Sequence, residues 1–400
     1  MTVTLLLDLD NTLLDNKTED FMPAYLGALS QRMAPFVNPS LMLKTLLAAT
    51  SEMMQNNDPD LTLMQVFDAA FYPKLGLEKA AIWPTLQAFY AEDFPKVKRV
   101  TKPVPEAIRL VEKAFAQGYR VGIATNPIFP RSAILQRLEW AGLPASQYPF
   151  DLIPDYESFH FSKPNPAFYA EFLAQMGWPE GPVVMVGDEV DLDIKSAREF
   201  GLPAFWITSD GTAAWPGPDA EPAHGSIKDV FTWVETLPGD AFPPDQKSPA
   251  AVLHSLNGIP AALLTLCAGL SKEQWTQQPA RGEWGAVEII CHLRDVEGEV
   301  NLPRLRMAQQ VKNPFIPAQD TGAWAEDRKY IRQDGPQALL DFVRCRKETL
   351  SLLRGVRKED WDLPTRHAIF GPTRLYELVG MITEHDRIHI QQFFRLNLTK

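Results

Sequence analysis

The hydrophobic pattern of the chain changes character part way along. The first part holds four short, continuous apolar runs: residues 3–7 (VTLLL), 120–124 (RVGIA), 183–186 (VVMV) and 204–207 (AFWI). A run without polar alternation suits a strand covered on both faces. Between them lie patterns of helical period at 104–117, 131–141, 165–176 and 191–200, with another at 226–236. Buried strands alternating with amphipathic helices predict an α/β doubly wound parallel sheet. The alternation breaks after the first run, where residues 15–102 read almost wholly as helix, near 18–34, 39–55, 61–74 and 78–94. That stretch is too long for a crossover connection, so we expect a helical subdomain inserted in the core.

Residues 238–248 (PGDAFPPDQKS) combine three prolines and a glycine with no apolar period, which predicts a linker. We place the boundary near 242, giving domains 1–242 and 248–400. Beyond 249 strand-like runs vanish. Four long helical patterns near 249–269, 286–311, 336–355 and 373–397 predict an all-α, antiparallel four-helix bundle, with a short helix in the 314–333 connection.

Composition agrees with two packed domains. The chain has 400 residues, 45% hydrophobic and 22% charged, enough to build cores. Its net charge of −11 is uneven: residues 1–240 carry −13 and the remainder +2. Neither part is basic enough to make nucleic acid an expected partner. Cys267, Cys291 and Cys345 have no framework spacing, and all three read as small buried hydrophobes. The start, MTVTLLLDLDNTLLD, has no basic region before its apolar run and meets Asp8 early, unlike a signal peptide. No run approaches 18 apolar residues. We therefore expect a soluble cytoplasmic protein with no membrane partner.

The polar residues that end the apolar runs carry the candidate chemistry. Asp8, Asp10 and Thr12 follow the first run, and ligands bind beyond the carboxyl ends of strands in open parallel sheets. Two carboxylates two residues apart repel each other unless a cation joins them, and oxygen donors suit Mg2+. The second run ends in Thr125 and Asn126. Lys163 lies in FSKPNP, and Asp188, Glu189, Asp191 and Asp193 follow the third run. Acids, a hydroxyl and a cation at one sheet edge are what phosphoryl transfer around a metal needs.

The order DxDxT, a strand ending in Thr, Lys-Pro, then Gly-Asp with a further Asp resembles the haloacid dehalogenase (HAD) superfamily over about residues 1–237. The insert resembles that superfamily's helical cap. The resemblance implies a HAD-like phosphoric monoester hydrolase. Asp8 would be a nucleophile forming an aspartyl-phosphate and Asp10 the general acid and base. Thr125 would bond a phosphoryl oxygen, and Lys163 would neutralise charge on nucleophile and phosphate; the residues themselves leave Asn126 as either a phosphate contact or the cap of the turn ahead of Pro127. Asp8, the Asp10 carbonyl and Asp188 would hold Mg2+, with Asp193 orienting them. Members that cleave carbon–halogen bonds lack an acid at the Asp10 position, so its presence favours a phosphatase or phosphomutase. A cap favours a small phosphorylated metabolite over a protein substrate.

The second domain offers a different donor set. His385 and His389 stand four apart in MITEHDRIHIQQFF and share one helix face, and His292 sits in the second helical pattern. Three imidazoles suit a transition metal such as Zn2+, Ni2+ or Fe2+ better than Mg2+. GEW, EIICHLRDVE and EHDRIHIQQ together resemble the DinB/YfiT-like metal-binding bundles over roughly 249–400. By that likeness His292, His385 and His389 are the ligands. Three roles for the bundle stay open: a metal site beside the phosphatase, a thiol-dependent transferase that is the main activity, or a non-catalytic docking or dimerisation module, as in a homodimer. His160, His224, His254 and His367 have no such company and are assigned no role.

Overall fold

The computed structural model describes residues 2–208, 214–217, 220–237, 248–280 and 282–396. The expected linker lies outside the described residues apart from Ser248, as does the boundary near 242. The chain divides into two compact units, Met1–Phe168 with Pro179–Pro244 and Tyr169–Trp178 with Asp245–Lys400. Tyr169–Trp178 thus groups with the second unit, whereas the sequence pattern places it in the first.

The first unit is built on a five-stranded parallel sheet. Its strands are β1 (Thr4–Leu7), β4 (Arg120–Ile123), β5 (Val183–Gly187), β6 (Ala204–Ile207) and β7 (Ala223–Gly225), in the order β4-β1-β5-β6-β7. β2 (Leu14–Asp15) and β3 (Lys102–Pro103) form a separate antiparallel pair at the base of the insert. β1 lies between β4 and β5, with Leu7 opposite both Ile123 and Val186, so the three strands end within one residue of one another. Its leucines are fully buried because helices cover the sheet. Those of this unit that follow the insert are α5 (Pro105–Ala116), α6 (Arg131–Trp140), α8 (Ser196–Phe200) and α9 (Val230–Thr236), while α7 (Ala167–Gln175) groups from Tyr169 onward with the second unit.

The insert consists of α1 (Thr18–Met33), α2 (Pro39–Met54), α3 (Leu63–Leu75) and α4 (Lys79–Ala88). Local signals set its helix starts. Asn38 accepts from the amides of Ser40 and Leu41, and Thr62 forms a capping box with Gln65. The insert is anchored to the loop that leads to Lys163. The Asn56 amide donates to the His160 carbonyl (2.8 Å), Ser162 Oγ to the Met54 carbonyl (3.3 Å), and Leu63 N–H to the Phe159 carbonyl (2.8 Å).

The second unit contains α10 (Pro249–Cys267), α11 (Lys272–Thr276), α12 (Ala286–Val296), α13 (Leu302–Gln310), α14 (Trp324–Asp327), α15 (Gly335–Arg354) and α16 (Leu375–Phe394). α10, α12 with α13, α15 and α16 are the expected four long elements. They share a core in which Val252, Leu256, Leu305, Leu350 and Ile382 meet. By length and composition α10 could cross a membrane, but 72% of its most apolar stretch is buried, as in a core helix.

The all-α expectation needs one correction. β8 (Phe315–Ile316), β9 (Pro364–His367) and β10 (Gly371–Arg374) form a small sheet in the order β10-β9-β8. The buried positions of β9 and β10 are Thr365, His367 and Thr373, so the period is present without an apolar signal. His367 has a structural part: its Nδ1 accepts from the amides of Ile369 and Phe370 and closes the hairpin. β7 escaped notice because it is three residues long, AHG.

The interior strand β1 sets the first prediction. Leu5 is fully buried in the main core beside Val121 and Val184. Leu5→Ala should cost roughly 2–5 kcal/mol through lost burial and a residual cavity. Denaturant unfolding of the full chain followed by circular dichroism should show the first unit's transition shifted to lower denaturant.

Candidate active site and metal centre

Strand β1 delivers Asp8 to the carboxyl edge of the sheet, where the Asp8 amide still bonds the Val186 carbonyl (2.9 Å). Lys163 reaches the same point from its loop and is buried, with 1% of its surface exposed. Its Nζ lies 2.8 Å from Asp8 Oδ1 and 2.5 Å from Asp193 Oδ1. A buried ammonium is tolerable only when so paired. Asp193 is fixed in turn by the Glu189 amide, which donates to its Oδ2 at 3.0 Å. A Cβ on Gly187 would collide with the Asp193 carboxylate, so the strand end must be glycine for this approach.

Asp8, Asp188 and Asp193 each offer an oxygen within 4.8 Å of the other two. Asp188 Oδ1 is buried and has no hydrogen-bond partner among the described residues. Burial, with Asp193 and Glu189 adding repulsion, pushes the Asp188 carboxyl up to about 7. Burial also raises Asp8 well above its ordinary value, against the opposing pull of Lys163. Three crowded carboxylates with one ammonium between them are short of positive charge, so the donor set fits a hard divalent cation.

The other expected residues fall at the same edge with different partners. Thr125 is fully buried and its hydroxyl has no partner among the described residues; Thr12 is in the same state. The Asn126 side chain lies against the lysine loop. Its Oδ1 accepts from the Lys163 amide (3.1 Å) and its Nδ2 donates to the Lys163 carbonyl (3.3 Å), so the amide group positions the lysine loop. Asp10 is tied to a residue that sequence reasoning missed. Arg137, on α6 and almost wholly buried, places NH1 2.8 and 2.7 Å from its two carboxylate oxygens, and the Asn16 amide adds a bond of 2.7 Å. The guanidinium also lies over Phe129, 4.7 Å from the ring centre. The available signal was an arginine within the apolar run of RSAILQRLEW.

In the second unit His292 comes from α12, and His385 and His389 from successive turns of α16. Each offers a ring nitrogen within 4.8 Å of the other two. The Nε2 atoms of His292 and His385 stand 3.1 Å apart. His389 Nδ1 faces Gln392 Oε1 at 2.9 Å, which assigns the proton to Nδ1 and leaves Nε2 as a donor to a metal. Burial, reinforced by its two histidine neighbours, lowers His292 to about 3, and burial with His385 lowers His389 to about 4. Two neutral imidazoles are therefore ready as nitrogen ligands. Trp284 covers the cluster, stacked nearly parallel to His389 at 5.8 Å. Cys291 points elsewhere, to Gln333, and its thiol is pushed up to about 11 by burial. Cys345 is only partly buried, unlike the expectation for all three cysteines.

Behind the histidines lies a buried ion triad. Arg346 Nε and NH2 bond the two Glu297 oxygens (2.8 and 3.0 Å). Its NH1 lies 2.7 Å from Asp386 Oδ2, as an ion pair rather than an aligned hydrogen bond. Burial opposes charge on Asp386, yet Arg346 and His385 hold its carboxyl below the ordinary value.

Comparison with known proteins agrees with both halves. The DinB superfamily model matches residues 255–393, and that of the haloacid dehalogenase-like hydrolases matches residues 2–201. A glyceraldehyde 3-phosphate phosphatase of Methanocaldococcus jannaschii is 31% identical over 102 residues, 25% of this chain and 42% of its own. A phosphoserine phosphatase of Thermus thermophilus is 27% identical over 157 residues, 39% of this chain and 60% of its own. The chain thus spans about half the length of the curated relatives it matches. Among solved structures, a HAD phosphatase from Thermococcus onnurineus aligns over 60% of this chain and all of its own at 20% identity and a TM-score of 0.38. YfiT of Bacillus subtilis, a four-helix bundle, aligns over 40% and 91% at 20% identity and a TM-score of 0.35. With its family match extending over half of its length, the chain belongs to the haloacid dehalogenase-like hydrolases.

Proposed function

We propose that the first unit is a Mg2+-dependent phosphatase acting on a small phosphomonoester. The observation that carries this is the buried Asp8–Lys163–Asp193 cluster, completed by Asp188. A carboxylate beside a buried ammonium is an oriented nucleophile whose charge is partly balanced. Asp8 attacks phosphorus, and the ester oxygen leaves with a proton from Asp10. Asp10 then takes a proton from water, which cleaves the Asp8–phosphorus bond and releases inorganic phosphate. Lys163 and the Thr125 hydroxyl face the charge on the phosphoryl oxygens. Asp8, Asp188 and the Asp10 carbonyl are the groups for Mg2+, which supplies charge neutralisation when bound.

The second unit is proposed to hold one transition metal through His292, His385 and His389. Three protein nitrogens leave a coordination position open, the arrangement of a catalytic rather than a structural site. This favours the reading of the bundle as a second reaction centre over a purely structural module. The DinB-like alternative, a thiol-dependent transferase, needs that open position.

Three outcomes test these assignments. Asp8→Asn is neutral and nearly isosteric, and it should lower phosphoester turnover by at least about a hundredfold with Mg2+ present, read by phosphate release. More than about a tenth of wild-type turnover would exclude the aspartyl-phosphate route. Arg137→Met keeps volume but releases Asp10. It should lower kcat more than it raises KM, because Asp10 acts in the chemical step rather than in holding substrate. Elemental analysis of the full chain should find about one transition metal, lost in His292→Ala and in His389→Ala. Stoichiometric metal in both variants would overturn the three-histidine site.

A further inference from the structure

A cavity inside the helical insert has no part in the roles above. Its volume is about 100 Å3, and it opens in part to solvent. Every insert helix contributes to its wall, as with Tyr25, Met42, Phe71 and Trp83 from α1 to α4 in turn. The remaining wall includes Ile128, Phe129 and Pro130, from the loop that carries Thr125 and Asn126 out of β4. Among the described residues, no Asp, Glu, Lys, Arg or His lines it. Of its few polar groups, the hydroxyls of Tyr25 and Tyr90 are bonded to each other at 3.2 Å.

The cavity reaches the chemistry through one side chain. Phe129 lines it and lies under the Arg137 guanidinium, whose NH1 holds the Asp10 carboxylate. Arg137 and Phe129 thus stand between the cavity and the carboxylate that gives the ester oxygen its proton, and a substrate body that extends past them enters the cavity. The group attached to that oxygen meets aromatic and aliphatic surface. A carboxylate, an ammonium or a second phosphate would be desolvated there without a partner, whereas an alkyl or aryl body would be stabilised by burial.

We propose that this cavity takes the organic body of the substrate, and that the substrate class is the phosphomonoester of an apolar alcohol or phenol. This rests on the phosphatase reading of the Asp8 site. It departs from the compact charged substrates named for the curated relatives, phosphoserine among them.

The test uses the full chain with Mg2+ and a series of linear alkyl phosphates from ethyl to octyl, beside phosphoserine, phosphoglycolate and glyceraldehyde 3-phosphate. The kcat/KM should rise about fourfold per added methylene until the cavity fills, and hexyl phosphate should exceed phosphoserine by at least about tenfold. Thr50→Lys puts an ammonium on the half-buried wall and should flatten the alkyl series. Calorimetric titration of 1-hexanol reads the cavity without catalysis, and binding should weaken in Thr50→Lys and in Trp83→Ala. A flat alkyl series with phosphoserine preferred, and no hexanol binding, overturns the proposal while the phosphatase reading stands. Hexanol binding that both variants weaken, with no phosphoester hydrolysed, overturns the phosphatase reading and supports an apolar ligand in the cavity.

Discussion

The first unit is organised around one buried ammonium. Lys163 could not sit at the sheet edge unpaired, because removing its charge from water is costly. Its partners come from separate elements: Asp8 from β1 and Asp193 from the segment after β5, while Asn126 from the loop after β4 holds the lysine backbone. The level register of β4, β1 and β5 brings those three ends together. Fold and site are thus coupled, since a slip of either neighbour would leave a charge or a polar loop without its partner. The arrangement also leaves an excess of carboxylate, which a divalent cation resolves.

The second unit uses the same device, a buried cation between two carboxylates. Arg346 is buried between Glu297 and Asp386, which lie just after α12 and within α16. Such triads contribute little net stability compared with apolar packing, but breaking one leaves an uncompensated charge. Here the two acids lie on the elements that supply the histidines: Asp386 directly follows His385, and Glu297 follows His292 by a little over one turn. The triad ties the spacing of the two helices to the spacing of the imidazoles. A cluster of mutually close ring nitrogens would otherwise have no reason to stay assembled without a ligand.

The sequence carried most of this, for identifiable reasons. The sheet was legible because buried parallel strands are continuous apolar runs. Asp8, Asp188 and Asp193 were legible because they follow such runs, Lys163 because its Lys-Pro pair falls between them in a recognisable order, and His385 and His389 because four residues is close to one helical turn. The features that escaped were set by tertiary partners. Nothing local in α6 says that Arg137 faces Asp10, 127 positions away. Asn126 reads as a free amide until the lysine loop closes on it. Strands β9 and β10 were invisible because their buried side chains are threonine and histidine, whose inward face is polar. The insert's cavity is the same kind of case, since Met, Leu and aromatic residues at helical spacing look alike whether they fill a core or line a void.

Two interruptions of helical period show how the sites are aimed. π-helical turns occupy Val190–Lys195 and Glu297–Asn301, each directly beside a charged centre. One extra residue in a turn rotates the rest of the helix by about 100°, a reorientation that a regular helix cannot make. In the first turn Asp193 faces Lys163 and accepts from the Glu189 amide, while Asp191, two residues earlier, is exposed and pairs with Lys195. In the second, Glu297 is wholly buried and Asn301 donates to it at 3.0 Å, while Glu299 between them turns outward to Arg328. Runs of acids thus divide between a buried partner and solvent. The geometry that separates them is local, but it is stabilised by the charge already waiting inside, Lys163 in one unit and Arg346 in the other.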